Sequence, residues 1–127
     1  MKSTNYVNTL ITASSDSPVQ AGIVPEKPQT VAGIEHALVI AQPYALTSDD
    51  LLHAVHRTKG GEKSRDQFFA TPQACLRASP LVKQFGWGIH NDADGRVALV
   101  GMETAEYRRL VEDPAVAKTP GMRSKRG

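Results

Sequence analysis

The sequence has one cysteine, few aromatic residues and no long apolar run. The first and the last of these shortages each exclude a class of protein. The single cysteine, Cys75, cannot form a disulfide within the chain, which excludes a small disulfide-stabilised scaffold. The longest purely apolar run, 37–41, is far shorter than the roughly 20 residues of a membrane-spanning helix. Residues 1–15 contain one lysine but no continuous apolar stretch, so they do not predict a secretory signal. We therefore expect a soluble cytoplasmic protein with no membrane partner.

The composition is that of a globular protein with one core. Its 127 residues match the usual length of one domain, and hydrophobic and charged residues make up 40% and 22% of the chain. Aromatic residues make up only 6%, so aliphatic side chains must supply most of the core. The net charge of +2 is uneven, because the segment after Asp113 is basic and contains no acid. We predict one domain over 1–117, followed by a basic tail over 118–127.

The basic tail has two interpretations. It is compatible with contact to nucleic acid or another polyanion, or it is a solvated terminus. A protein that binds nucleic acid needs a broader basic face or stacking aromatic residues, and the sequence has neither. We therefore do not expect nucleic acid as a partner.

Apolar spacing and capping residues predict the helices. Val31, Ile34 and Leu38 recur at helical spacing. Thr30 can cap this helix at its start, and Pro43 ends it. The same signals recur along the chain, and we expect helices near 31–42, 48–58, 62–70 and 104–113.

The strands have weaker signals. β-branched residues with partial alternation predict a first strand over 6–13. Two apolar runs flank Asp94-Gly95, which is typical of a tight β-turn, and predict a hairpin over 86–102. The segment 19–24 is a candidate for one more edge strand. Helices and strands are segregated along the chain, so we predict an α+β fold, a small antiparallel sheet covered mainly on one face by three to four helices.

Several segments resemble a family of short bacterial proteins known only as a domain of unknown function. The matching text is "QPYALTSDDLLHAV", "QACLRASPLVKQFGWGIHNDADGRVALVG" and "GMRSKR", and "STNYVNTLI" is similar to the opening of that family. The resemblance covers nearly the whole chain and implies a complete small protein. It implies no activity, ligand or catalytic residue. His53 and His56 depart from the family pattern, in which aromatic or apolar residues are expected.

Cys75 and His90 are the most evident candidates for chemistry. A catalytic thiol needs a lowered pKa, which a histidine or a nearby cation supplies, and Arg77 and Lys83 are close to Cys75 in the sequence. Against this, no signature of a thiol enzyme surrounds Cys75, and a free cysteine is commonly buried as a small hydrophobic residue. Both interpretations stay open.

Strand alternation places His90 beside a glycine. In an extended segment Trp87 and Ile89 face the core, while Gly88 and His90 face the other side. Glycine in a strand often marks the close approach of a ligand, so the imidazole beside Gly88 is a candidate binding site. The alternative is that a helix or the first strand crosses the glycine and that His90 bonds to a carbonyl.

Arg77, Ser79 and Lys83 suggest an anion site. Arg77 can bind a carboxylate or phosphate through two parallel hydrogen bonds, and Ser79 can cap a short helix whose amides face the same anion. The alternative is an internal ion pair of Arg77 with Asp49 or Asp50. The candidate ligand-binding residues are therefore Arg77, Ser79, Lys83, Gly88 and His90.

No metal site or cofactor is expected. Asp49, His53 and His56 share one helical face at a spacing compatible with metal ligation, but that face is opposite the apolar one and is expected to be exposed. The segment "DADGR" lacks the further carboxylates of a calcium loop and is better explained as a turn.

Two hypotheses for function remain. The preferred one is a non-enzymatic binding or interaction module with an anion site near Arg77, Lys83 and His90. Its partner would be a small anionic ligand, another protein or a second copy of the chain. The alternative is a small enzyme that uses Cys75 or His90 at the same place. The scarcity of clustered carboxylates and histidines favours binding over catalysis.

Overall fold

A four-stranded sheet and five α-helices form the fold in the computed structural model, which describes residues 3–124. The strands are β1 (Thr9–Thr12), β2 (Trp87–Asn91), β3 (Val97–Gly101) and β4 (Ala117–Pro120). The helices are α1 (Val31–Ala41), α2 (Ser48–Thr58), α3 (Arg65–Phe69), α4 (Pro80–Gln84) and α5 (Ala105–Glu112), with a 3-10 turn at Leu76–Ala78. The predicted α+β class is confirmed.

The sheet has the order β3-β2-β1-β4 and is mixed rather than wholly antiparallel. β1 pairs antiparallel with β2, and β2 and β3 form the predicted hairpin. β4 pairs with β1 in parallel, because α5 and the turn after it return the chain alongside β1 in the same direction. The first residues of the segment that we predicted as a tail, 118–120, therefore belong to the sheet, and Lys125 and Arg126 lie outside the described residues.

The segment 19–24, which we considered as an edge strand, forms no strand. It crosses the loop before β2 as an irregular segment, and hydrogen bonds to distant residues hold it, including one from the Gly22 amide to Glu103 Oε1 at 2.9 Å. The Ile23 amide donates to the Phe85 carbonyl at 2.8 Å, and the Trp87 indole donates to the Ile23 carbonyl at 2.9 Å. Its backbone pairs with a loop and with two side chains instead of a strand, so that prediction is wrong.

The main core lies on one face of the sheet. The register places Ile11, Ile89 and Leu99 side by side on this face, where α1, α2 and α4 cover them. The buried residues of this core are Ile11, Ile34, Val39, Leu51, Val55, Leu76, Val82, Ile89 and Val97. All of them are aliphatic, as the low aromatic content predicts.

Side-chain caps fix where the helices begin. Thr30, Thr47 and Thr104 each accept a hydrogen bond from a backbone amide of the first turn, as expected for N-cap residues. Ser64 does the same for α3, and Gln67 completes a capping box. Because of this cap, α3 begins at Arg65 and is shorter than the predicted 62–70. None of the helices within residues 3–124 combines the length and apolar character needed to cross a bilayer.

Candidate functional site

The residues predicted to form one site lie on two sides of the sheet. Cys75 and Ser79 lie on the side covered by α1, α2 and α4. Gly88 and His90 face the opposite side, as strand alternation predicts, because the neighbouring Trp87 and Ile89 face α1 and the core. Lys83 lies in the last turn of α4.

A cavity of about 130 Å³ opens between α1, α2 and the segment 74–80. Its walls are mostly apolar, and three side chains, Glu35, Cys75 and Ser79, bring polar atoms to it. The apolar wall consists of Val31, Leu52, Ala74, Leu76, Ala78 and Pro80.

Glu35 is a buried acid on the apolar face of α1. It is only 2% exposed, and within residues 3–124 its carboxyl has one hydrogen bond, to Oε1 from the Ser79 hydroxyl at 2.6 Å. No basic side chain in that part of the chain forms an ion pair with it. Burial raises the pKa of the Glu35 carboxyl to about 7, and the hydrogen bond from Ser79 opposes this shift. The acid therefore changes charge near neutral pH, which is a common property of functional carboxyls.

Ser79 links this carboxyl to the start of α4. Its hydroxyl oxygen accepts a hydrogen bond from the Leu81 amide at 3.1 Å, while the hydroxyl hydrogen points to Glu35. The cap predicted for Ser79 is confirmed. The side chain is only 5% exposed, and its nearest charged partner is an acid.

Cys75 lies at the rim of the cavity and is half-buried. Its sulfur is 3.3 Å from the hydroxyl of Tyr6, a residue that sequence reasoning did not select. The hydrogen bond to Cys75, together with burial, raises the pKa of the Tyr6 phenol, and the nearby Arg77 opposes the shift. Because the phenol stays protonated at neutral pH, it can donate a hydrogen bond to the sulfur. His90, the base considered for this thiol, lies across the sheet.

Arg77 forms neither of the ion pairs that we considered. Its Nε donates to the carbonyl of Pro120 at 2.7 Å, and its own carbonyl accepts from the Met122 amide at 2.8 Å. The two expected partners are engaged elsewhere: Asp50 pairs with Arg65, and Asp49 binds the N-terminal segment. Arg77 thus binds the end of β4, and the predicted internal ion pair is wrong.

On the opposite face, His90 and Gly88 are covered by tyrosines. The Tyr44 hydroxyl lies 2.8 Å from His90 Nδ1, and the Tyr107 ring of α5 occupies the space beside Gly88. Burial lowers the pKa of His90, while the nearby acids Asp92 and Glu106 oppose that shift. A helix therefore crosses the glycine, as in the second interpretation, but His90 bonds to a phenol rather than a carbonyl.

The metal-type spacing on α2 produces no cluster of ligands. Asp49 is buried rather than exposed, because its carboxylate accepts hydrogen bonds from Ser3 Oγ and from the backbone and side chain of Thr4. His53 and His56 stack on each other, with ring centroids 6.0 Å apart. In the described part of the chain, no three acidic, cysteine or histidine side chains are placed to hold a metal ion.

Sequence reasoning missed Glu35, although a signal for it was present. Glu35 is four residues after Val31 and three before Leu38, so a helix that aligns these apolar residues must carry the acid on the same face. An acid within an apolar stripe is a candidate for burial and a shifted pKa. Tyr6 carries no comparable signal, because its approach to Cys75 depends on long-range packing.

The fold and site define a small α+β domain with an acid-containing cavity at the junction of two helices and a loop. A family model, described as a family of unknown function (DUF6157), matches residues 1–127. The chain belongs to this family, which confirms the resemblance noted above. Comparisons with curated proteins and with solved structures found no match.

Proposed function

We propose that the protein is a binding module and that the cavity between α1, α2 and 74–80 is its ligand site. The observation that carries the proposal is the unpartnered oxygen of Glu35. Glu35 is only 2% exposed and lines the cavity, and among the described residues Oε2 accepts no hydrogen bond. Oε2 is not among the fully enclosed unpartnered atoms of the described residues, so it is accessible from the cavity that Glu35 lines, where a ligand can donate a hydrogen bond to it.

The size and walls of the cavity limit the ligand. Small-molecule sites commonly enclose roughly 300–1,000 Å³. At about 130 Å³, this cavity fits a compact molecule of a few heavy atoms or a single side chain of a larger partner. Its apolar walls favour an apolar body, and Glu35 favours one polar end.

This proposal keeps the binding module predicted from the sequence and moves its site. The anion site predicted near Arg77, Lys83 and His90 would have to join groups on both faces of the sheet. An anion would also meet the Glu35 carboxyl next to Ser79. Cys75 and Ser79 remain in the proposed site, and Arg77 is not one of the residues that line it.

Titration with small organic probes, followed through backbone amide signals in NMR, tests the proposed site. We expect signal shifts to concentrate at Val31, Glu35, Cys75 and Ser79. They should disappear in Ala78→Leu, because the larger side chain fills the cavity. The matched control is Ala37→Leu, at an exposed position of α1, which should leave the shifts unchanged. Shifts that persist in Ala78→Leu, or a panel of compact probes with no effect at these residues, would contradict the proposal.

A thiol enzyme is the second candidate, and the placement of Cys75 favours it. The sulfur lines the same cavity and has a phenol donor, Tyr6, at 3.3 Å, while Glu35 can exchange a proton near neutral pH. If the thiol is activated, iodoacetamide should modify the folded protein at neutral pH about tenfold faster than it modifies free cysteine. Tyr6→Phe should slow this reaction, whereas Tyr44→Phe, on the other face, should not. Modification that occurs only after unfolding would eliminate the enzyme candidate and leave the binding module.

A further inference from the structure

We infer that the ligand of this cavity carries an alkylammonium group, which the carboxylate of Glu35 binds. The inference rests on the proposed function and adds the chemical class of the ligand. It follows from the charges, the hydrogen-bonding atoms and the shape of the cavity.

The charge in the cavity is negative and unpaired. Glu35 is the only acidic residue that lines it, and no lysine, arginine or histidine does so among the described residues. Arg77 is the nearest basic residue in sequence to the rim, but its Nε is directed to the Pro120 carbonyl. An anionic ligand would face a buried carboxylate, whereas a cation would neutralise it and form a buried ion pair.

The polar atoms of the cavity are mainly acceptors. Oε1 of Glu35 already accepts the Ser79 hydrogen, and Oε2 is open. The Ser79 oxygen has used its hydrogen and one lone pair, since it also accepts from the Leu81 amide, so what remains on it is a second lone pair. A ligand must therefore supply N–H or O–H donors. A primary ammonium has three N–H donors and no acceptor, so it can donate both to Glu35 Oε2 and to the remaining lone pair of the Ser79 hydroxyl oxygen.

The walls fit a short apolar stem attached to that ammonium. Val31, Leu52, Leu76 and Pro80 surround the polar end, and the volume of about 130 Å³ admits only a few carbon atoms. The same chemistry is present in a free short-chain amine and in the side chain of a lysine. Both sources place an ammonium at the end of a flexible apolar chain.

Binding of a cation should depend on the ionisation of Glu35. Because burial raises the pKa of the empty carboxyl to about 7, the acid is mostly neutral near pH 6 and mostly ionised near pH 8. The fraction in the binding form, and hence the affinity, should rise about tenfold between about pH 6 and about pH 8. Among residues 3–124, Cys75 is the one other titratable group that lines the cavity. The other charged or titratable residues on the elements that pack around α1 are Asp49, Asp50, His53, His56 and Arg57 of α2, Arg77 of the 3-10 turn and Lys83 of α4.

The test compares three probes of equal length, namely n-propylammonium chloride, n-propanol and sodium propionate, by NMR titration at about pH 6 and about pH 8. We expect the ammonium to bind at least tenfold more tightly than the alcohol at about pH 8, and about tenfold more weakly at about pH 6. Glu35→Gln should remove both the preference for the ammonium and its pH dependence. Glu26→Gln, an exposed acid just before α1, is the matched control and should change neither.

The outcomes separate this inference from the proposed function. If n-propanol binds as tightly as the ammonium, or if Glu35→Gln leaves ammonium binding unchanged, the ligand class is wrong although the cavity still binds. If none of the probes shifts the cavity signals, or if the shifts persist in Ala78→Leu, the proposed function itself fails. A second titration with a blocked lysine peptide distinguishes the sources: tighter binding than n-propylammonium assigns the site to a protein partner, and weaker binding assigns it to a free amine.

Discussion

Replacing Glu35 by glutamine is expected to stabilise the protein above neutral pH by roughly 3 kcal/mol and to change it little under acidic conditions. The reason is that the folded state holds a carboxyl whose pKa is about 7, compared with an ordinary value of 4.5. Glutamine has nearly the same shape, and its carbonyl oxygen can accept the Ser79 hydrogen in place of Oε1. The substitution removes the burial of a charge and retains the hydrogen bond.

The direction of the pH effect follows from the protons bound in each state. Between about pH 4.5 and about pH 7 the folded protein keeps the Glu35 proton, whereas the unfolded chain has lost it. The unfolded state binds fewer protons, so the stability of the wild-type protein falls as the pH rises through this window. Above about pH 7 both states are ionised at this residue, and its contribution becomes constant.

Urea denaturation of both proteins at several pH values measures this effect. The difference in unfolding free energy between Glu35→Gln and the wild type should grow by roughly 2–3 kcal/mol from about pH 5 to about pH 8. The control is Glu112→Gln on α5, where the side chain is exposed and the difference should stay near zero. Parallel pH profiles for Glu35→Gln and the wild type would show that the carboxyl is not buried in solution as it is in this fold.

This instability has a consequence for binding. At neutral pH and above, the empty cavity contains a buried charge that no basic residue within 3–124 compensates. A cationic ligand would remove that defect, so part of its binding free energy comes from relieving the folded protein. The proposed ligand class and the expected effect of Glu35→Gln therefore have one common cause, but they are measured independently.

The parts of the fold that depend on short-range signals could be predicted from the sequence. Thr30 and Thr104 cap the helices that they were expected to cap, and Asp94-Gly95 forms the turn between β2 and β3. In each case, a few neighbouring residues determine the backbone through a side-chain hydrogen bond or a tolerated turn conformation. The α+β class follows once such elements are ordered along the chain.

The parts that were missed depend on contacts between distant segments. β4 has little apolar pattern, and it forms a strand because β1 offers an open edge, some 108 residues earlier in the chain. Arg77 was expected to form an ion pair with Asp49 or Asp50. It binds the carbonyl of Pro120 instead, because β4 ends beside it. The spacing of residues along one segment does not determine such partners.

In the candidate site, too, the features set by neighbouring residues could be predicted, and those set by contacts between distant segments could not. Ser79 could be identified as a helix cap, but its second partner, Glu35, is on a helix 44 residues away in sequence. The thiol of Cys75 was selected together with His90, since both residues belong to one short segment. The turn of the chain at Gly86 and the alternation along β2 then direct His90 to the other face. A site on one segment was expected, and the cavity combines α1, α2 and the loop before α4.

Gly86→Ala is expected to destabilise the protein by about 3 kcal/mol or more, whereas Gly88→Ala should cost only about 1–2 kcal/mol. Gly86 has a φ of 76°, in the left-handed region that favours glycine. A methyl group there would also collide with the backbone carbonyl of Ala21, which cannot move without shifting the crossing segment 19–24. At Gly88, a methyl group would lie 2.6 Å from the Tyr107 ring edge, and that side chain can shift.

Chemical denaturation of the two variants checks this order, and the amide signals of 19–24 locate the damage. In Gly86→Ala we expect the hydrogen bond from the Trp87 indole to the Ile23 carbonyl to be lost, because the strain displaces the crossing segment. In Gly88→Ala the change should be confined to Tyr107 and the Ala13 amide, which donates to its hydroxyl at 3.0 Å. Equal losses in the two variants would mean that crowding alone matters at both positions. The left-handed turn at Gly86 would then not be what directs β2 into the sheet with His90 facing away from the cavity.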